Sequence, residues 1–205
     1  MEIIEVDMLK IILASNSPRR VELLKLLRLD FEVMPANIDE ASNGFDDAGK
    51  YAMEMSRKKA LRTAEKIRPD ADDTIVIGAD TVVSIDGHIL GKPTDRKEAE
   101  NMLRMLENRW HEVTTGVTLV SAKSMETITE KEVTRVKMSQ YPRGFLERYI
   151  SSGEPFDKAG AYGVQGLASL IVERIEGCYF NVVGLPVFRL SRMLEKLGCG
   201  ILSWL

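Results

Sequence analysis

The segment TIVIGADTVVSI, residues 74–85, restricts what this chain can fold into more than any other stretch. It is rich in β-branched apolar residues and reads as β-structure broken at Gly78-Ala79-Asp80. Asp86-Gly87 follows at once, the strongest short-range hairpin signal, and HILGKP (88–93) returns. Helical patterns flank this block on both sides. Upstream, LKIILAS (9–15) reads as a buried strand and residues 18–28 as a helix, with Ser17 as N-cap and Pro18 at the first helical position. FEVMP (31–35) is a strand candidate, NIDEASNGFDDAG (37–49) a polar loop, and about 50–67 a helix carrying Lys58 and Lys59. Downstream, Asp95 and Glu98 have the spacing of a capping box for a helix over roughly 96–107. HEVTTGVTLVS (111–121) and TITEKEVTRVKMS (127–139) read as paired strands, 143–152 as a helix, SLIVERI (169–175) as a strand and about 186–197 as a last helix. Strands alternating with helices place the chain in the α/β class.

The 205 residues fit a short N-terminal extension over 1–8 and one domain over 9–205. A chain of this length buries roughly 70% of its unfolded surface, so it needs no staples. The net charge of -3 gives no overall basic field to recruit nucleic acid or anionic lipid, so an anion site has to be local. Cys178 and Cys199 do not form a CxxC pair and read as reduced thiols of a cytoplasmic protein. No apolar stretch reaches membrane-spanning length, and the N-terminus lacks a signal-peptide core.

The standard catalytic templates fail. The histidines, His88 and His111, lie after a hairpin turn and at a strand start, and there is no GxSxG. GKPT (91–94) looks like the tail of a P-loop, but Gly87 leaves three intervening residues where four are needed, and Pro93 takes the Ser/Thr position. Carboxylates and cations in loops remain. Asp80 either caps a bulge or serves as a metal ligand or general base at a strand break. Glu40, Asp95, Glu154 and Asp157 are further loop or helix-start carboxylates. With Lys59, Lys92, Lys158, Arg19 and Arg20 they suggest a polyanion held by cations and a divalent metal held by oxygens. Mg²⁺ suits such a site, with few protein carboxylates, several waters and the substrate's own phosphates. ASNSPRR (14–20) agrees: Ser15 and Ser17 offer hydroxyls, and two arginines stand at a helix N-terminus that is already partly positive. The other reading of Arg19 and Arg20 is surface pairing with nearby acids such as Glu22.

Eight segments in order, ASNSPRRVELL, NIDE, SRKKA, GADTVV, LGKPTDRKEAENML, HEVTTGV, GEPFDKAGAYGVQG and GCYFNVVGLP, resemble the Maf family of nucleoside triphosphate pyrophosphatases. The resemblance implies an elongated mixed β-sheet flanked by helices, with two lobes around a central cleft, related to inosine triphosphate pyrophosphatases. It implies cleavage between the α and β phosphates with a divalent metal, Mg²⁺ or Mn²⁺, and a homodimer. EPFDKAGAYGVQG is similar to the branch acting on dTTP and UTP. By the same resemblance Arg19, Thr81 and Gln165 fall on positions associated with substrate selection, and Asp80 on the proton acceptor. The expected site then has Ser15, Ser17, Arg19, Arg20, Lys59, Thr81, Lys92, Lys158 and Gln165 on the substrate, and some of Glu40, Asp80, Asp95 and Glu154 on the metal. A broader activity on modified pyrimidine triphosphates is the alternative among enzymes. A non-catalytic nucleotide- or nucleic-acid-binding regulator of septum formation is the alternative outside them, and the lack of a basic-aromatic patch argues against it.

Overall fold

The computed structural model describes residues 10–38, 45–67 and 74–199. The proposed extension and the GILSWL tail (200–205) therefore lie outside the described residues. In chain order the elements are β1 (Lys10–Leu13), α1 (Pro18–Leu26), β2 (Phe31–Val33), α2 (Ala48–Ile67), β3 (Thr74–Ile85), β4 (His88–Leu90), α3 (Arg96–Leu106), β5 (Trp110–Ser121), β6 (Thr127–Met138), α4 (Phe145–Ser151), β7 (Val172–Glu176), α5 (Tyr179–Val183) and α6 (Val187–Lys196). The strands form one mixed sheet in the order β2-β1-β3-β5-β6-β7, with β4 beside β3. β1 runs parallel to β2 and β3, and the remaining pairings are antiparallel. Among the described residues no helix is long and apolar enough to cross a membrane.

β3 does not break at Gly78-Ala79-Asp80. It pairs with β5 without interruption from Ile75↔Ser121 to Ser84↔Glu112. The glycine marks a close approach instead of a bend. A methyl group on Gly78 would overlap the backbone carbonyl of Ser56, and one on Gly116 of β5 would overlap that of Ala52. Helix α2 thus lies directly on the sheet at these two positions. The hairpin signal has its expected form: Asp86 (φ 50°) and Gly87 (φ 79°) both have positive φ, as a type I′ turn requires.

The two-residue period of β3 sorts its side chains between two layers. Ile75, Ile77 and Ala79 pack with Leu24 of α1 and Leu190 and Met193 of α6. Val76 packs with Ala60 and Ala64 of α2. Further along, Val83 and Ile85 join a separate cluster with Leu103 of α3 and Tyr149 of α4. Of these three clusters, the one around Ile75, Ile77 and Ala79 and the one around Val83 and Ile85 are the cores of the two lobes.

The edge of β3 opposite β5 is shared. β1 covers Thr74 to Ile77, and β4 covers Val83 to Ile85. Between them, residues 78–82 have no strand partner on that edge among the described residues. The functional site opens at this interval.

Some local expectations shift. Glu98 bonds to the backbone N–H and hydroxyl of Thr94 (2.7 and 2.6 Å), one residue before the expected partner, while Asp95 accepts from the Glu98 N–H at 2.8 Å. Ser17 precedes α1 but its side chain makes no capping bond; its own N–H donates to Ser15 Oγ at 3.2 Å. Leu167–Leu170 is a 3-10 turn, so β7 starts later than SLIVERI suggests, and α5 was not anticipated.

Candidate active site

A cavity of about 600 Å³ sits at the uncovered interval of β3, between the two lobes. Ser15, Ser17, Arg19 and Arg20 reach it from the β1–α1 turn, Lys59 from α2, Asp80 and Thr81 from β3, Lys92 from the segment after β4, and Lys158 and Gln165 from the Gly-rich loop. All the substrate-contacting residues expected from the sequence therefore line one space.

Asp80 and Thr81 are consecutive and so point to opposite faces of β3. Asp80 faces α2, where Lys59 Nζ lies 2.6 Å from its Oδ1, with the two side chains only 9% and 11% exposed. Thr81 faces α1. Arg20, buried, donates from Nε to the Gly184 carbonyl (2.8 Å), from Nη1 to Ser15 Oγ (3.0 Å) and from Nη2 to Thr81 Oγ1 (3.0 Å). It ties the β1–α1 turn to β3 and to the end of α5. Charge alone suggested that Arg20 neutralises substrate; its bonds give it a share in holding the wall.

The network continues away from the cavity. Thr81 Oγ1 lies 2.9 Å from Thr115 Oγ1, which donates to the Asn181 carbonyl at 3.0 Å. The Asn181 amide donates to the Val113 carbonyl and to Thr134 Oγ1, both at 2.9 Å. Asn181 is fully buried and fixes α5, whose Val182 and Val183, with the following Gly184, form part of the cavity wall. Sequence reasoning missed Thr115, Asn181 and Gly184. The available signal was an asparagine inside the apolar run of GCYFNVVGLP, since a buried amide has to be bonded.

At the mouth, Arg19 Nη1 lies 3.0 Å from Asp157 Oδ2, and Lys158 Nζ lies 2.6 Å from Asp157 Oδ1. Lys158 also donates to the Glu154 carbonyl at 2.7 Å. Partial burial pushes the Asp157 carboxyl up, but hydrogen bonds from Lys158 and Arg19 outweigh it and hold the group below the usual carboxylate range.

Of the four expected metal ligands, Glu40 lies outside the described residues. Asp95 caps α3. Glu154 staples the Gly-rich loop, accepting from the Leu167 N–H (3.0 Å), the Ala168 N–H (3.4 Å) and the Tyr149 hydroxyl (3.2 Å). Neither lines the cavity, whereas Asp80 and Asp157 do. Among the described residues no three His, Cys, Asp or Glu side chains form a ligand cage. The described donor set suits a hard cation held by few carboxylates and completed by water and phosphate oxygens.

Tyr162 lines the cavity and its hydroxyl is 2.7 Å from His111 Nε2. His111 is 3% exposed and its Nδ1 has no protein partner. Burial pushes the imidazole down to about 4 from 6.5, so the folded protein holds it neutral. The unfolded chain binds the extra proton between these values, so stability falls as pH drops from 6.5 to about 4. The expected loss is about 3 kcal/mol. In urea titrations across this window, His111→Gln is expected to flatten the dependence; an unchanged slope would contradict it.

The model for Maf-like protein matches residues 10–197, and the chain belongs to that family. The dTTP/UTP pyrophosphatase of Dictyoglomus thermophilum is 46% identical over 193 residues, covering 94% of this chain and 98% of that protein. The dTTP/UTP pyrophosphatase of Acetivibrio thermocellus is 46% identical over 199 residues, covering 96% and 99%. Among solved structures, the Staphylococcus aureus Ham1 protein is 18% identical, covering 91% of this chain and 98% of its own, with a TM-score of 0.49.

Proposed function

We propose that this protein hydrolyses nucleoside triphosphates, dTTP and UTP among them, to the monophosphate and pyrophosphate. The carrying observation is the convergence of Arg19, Lys59, Lys92 and Lys158 with the Asp80 carboxylate in one cavity of a size for a small ligand. The relatives' activity, at nearly full-length coverage, supports the same reading.

In this mechanism water adds to the α-phosphorus, the bond from that phosphorus to the bridging oxygen breaks, and pyrophosphate leaves with the electron pair. Asp80 accepts the proton of the attacking water. Lys59, bonded to Oδ1, fixes the orientation of that carboxylate. Arg19, Lys92 and Lys158 offset the charge of the phosphate chain, and Arg20 keeps Ser15 and Thr81 in place. A bound Mg²⁺ or Mn²⁺ would be held by Asp80 together with water and phosphate oxygens, and would supply further charge neutralisation. In phosphoryl transfer such positioning and charge stabilisation carry most of the rate. Gln165, exposed on the Gly-rich loop at the cavity, has the donor and acceptor needed to read a pyrimidine's imide edge.

Pyrophosphate release from dTTP and UTP in Mg²⁺ or Mn²⁺ tests the function: metal-dependent release is expected, and none would favour a non-catalytic binder. Replacing Gln165 by alanine is expected to cut the preference for pyrimidine over purine triphosphates about tenfold. An unchanged ratio of kcat/KM values would leave Gln165 only a role in pinning the loop.

A further inference from the structure

The mouth of the cavity already contains an anion. Asp157 ends the Gly-rich loop's first turn on one lobe, and Arg19 lies in the first turn of α1 on the other, 138 residues away. Both Asp157 oxygens are engaged, Oδ2 by Arg19 and Oδ1 by Lys158. Two oxygens of a phosphate group bridge a pair of cations in the same way. All three side chains line the cavity, and Asp157 is 62% exposed, so the contact is open to exchange. Asp157 itself is the open partner, with Arg19 29% and Lys158 14% exposed, and a carboxylate this open is replaceable by a ligand of higher charge.

We propose that Asp157 is a resident competitor for the phosphate chain. It occupies Arg19 and Lys158 in the ligand-free protein, yields them when a polyphosphate enters, and takes them back as pyrophosphate leaves. The inference rests on the polyphosphate reading of this cavity. A carboxylate carries one charge, so singly charged anions do not displace it effectively, whereas a phosphate chain does. The same competition limits retention of the product, which contacts the same cations.

The test uses the full chain. Inorganic pyrophosphate is titrated calorimetrically, in buffer with Mg²⁺, into wild type, Asp157→Asn, Asp157→Glu and a remote control, Asp86→Asn, which removes another exposed pair (Asp86–Arg109, 2.6 Å). Asp157→Asn is expected to bind pyrophosphate about three- to tenfold tighter. KM for dTTP should fall with it, while kcat stays level or drops as product leaves more slowly. Binding should also weaken more steeply with salt, because uncovered cations carry counterions that the ligand must release. Asp157→Glu should bind like wild type, and Asp86→Asn should change nothing. Unchanged or weaker pyrophosphate binding in a folded Asp157→Asn protein overturns the proposal. The two readings fail separately: an inactive wild type whose Asp157→Asn variant still gains affinity sinks the hydrolase reading alone, and an active enzyme with unaltered affinity sinks the competitor alone.

Discussion

Asp80→Asn is expected to lower kcat by about 10²–10⁴-fold with little change in KM, the loss typical of removing a general base. The substitution keeps the shape of the side chain and an acceptor for Lys59, so the strand register opposite Gly116 is undisturbed. It removes the proposed proton acceptor and the charge that compensates Lys59. Stripping one partner from a buried ion pair costs about 3 kcal/mol at most here, given the retained acceptor. A melt should therefore accompany the kinetics. A folded variant turning over dTTP at close to the wild-type rate would remove Asp80 from the role of base.

The second large effect is structural. Gly116→Ala places a methyl group against the carbonyl of Ala52 and the amide of Met53, which are helix backbone and cannot rotate aside. Forcing α2 off the sheet is expected to cost about 3 kcal/mol. For a chain of this size that lowers Tm by about 6–12 °C. Gly91→Ala, where nothing lies within 4 Å of the added carbon, is the comparison and should stay within about 0.5 kcal/mol. Equal melting of the two variants would show that α2 does not need this approach. Because Lys59 reaches Asp80 from α2, the displaced helix should also depress turnover.

How far the sequence can be read depends on which features are local. Strands and helices were legible because periods of 2 and 3.6 are written into neighbouring residues. Gly78 was misread because a glycine inside a strand means either a bend or a close approach, and only the placement of α2 decides. Asp95 carried two readings from the start, helix cap and metal ligand; the structure uses it as the cap. Glu154 could not be assigned locally at all, since its partners Leu167 and Ala168 lie beyond the loop it closes. Helix α5 escaped notice because it has five residues and owes its position to Asn181 bonding across β5 and β6.

The placement of Asp80 and Thr81 on opposite faces of β3 bears on how such a protein can diversify. The two residues share a peptide bond, yet they belong to separate packing layers. Asp80 is tied to α2 through Lys59, and Thr81 to α1 and α5 through Arg20, Thr115 and Gly184. On the proposed assignment, substitutions in the α1–α5 layer are expected to alter nucleotide preference while leaving the Asp80 carboxylate in place. Under that proposal reaction and recognition would vary independently, separated by the thickness of one strand.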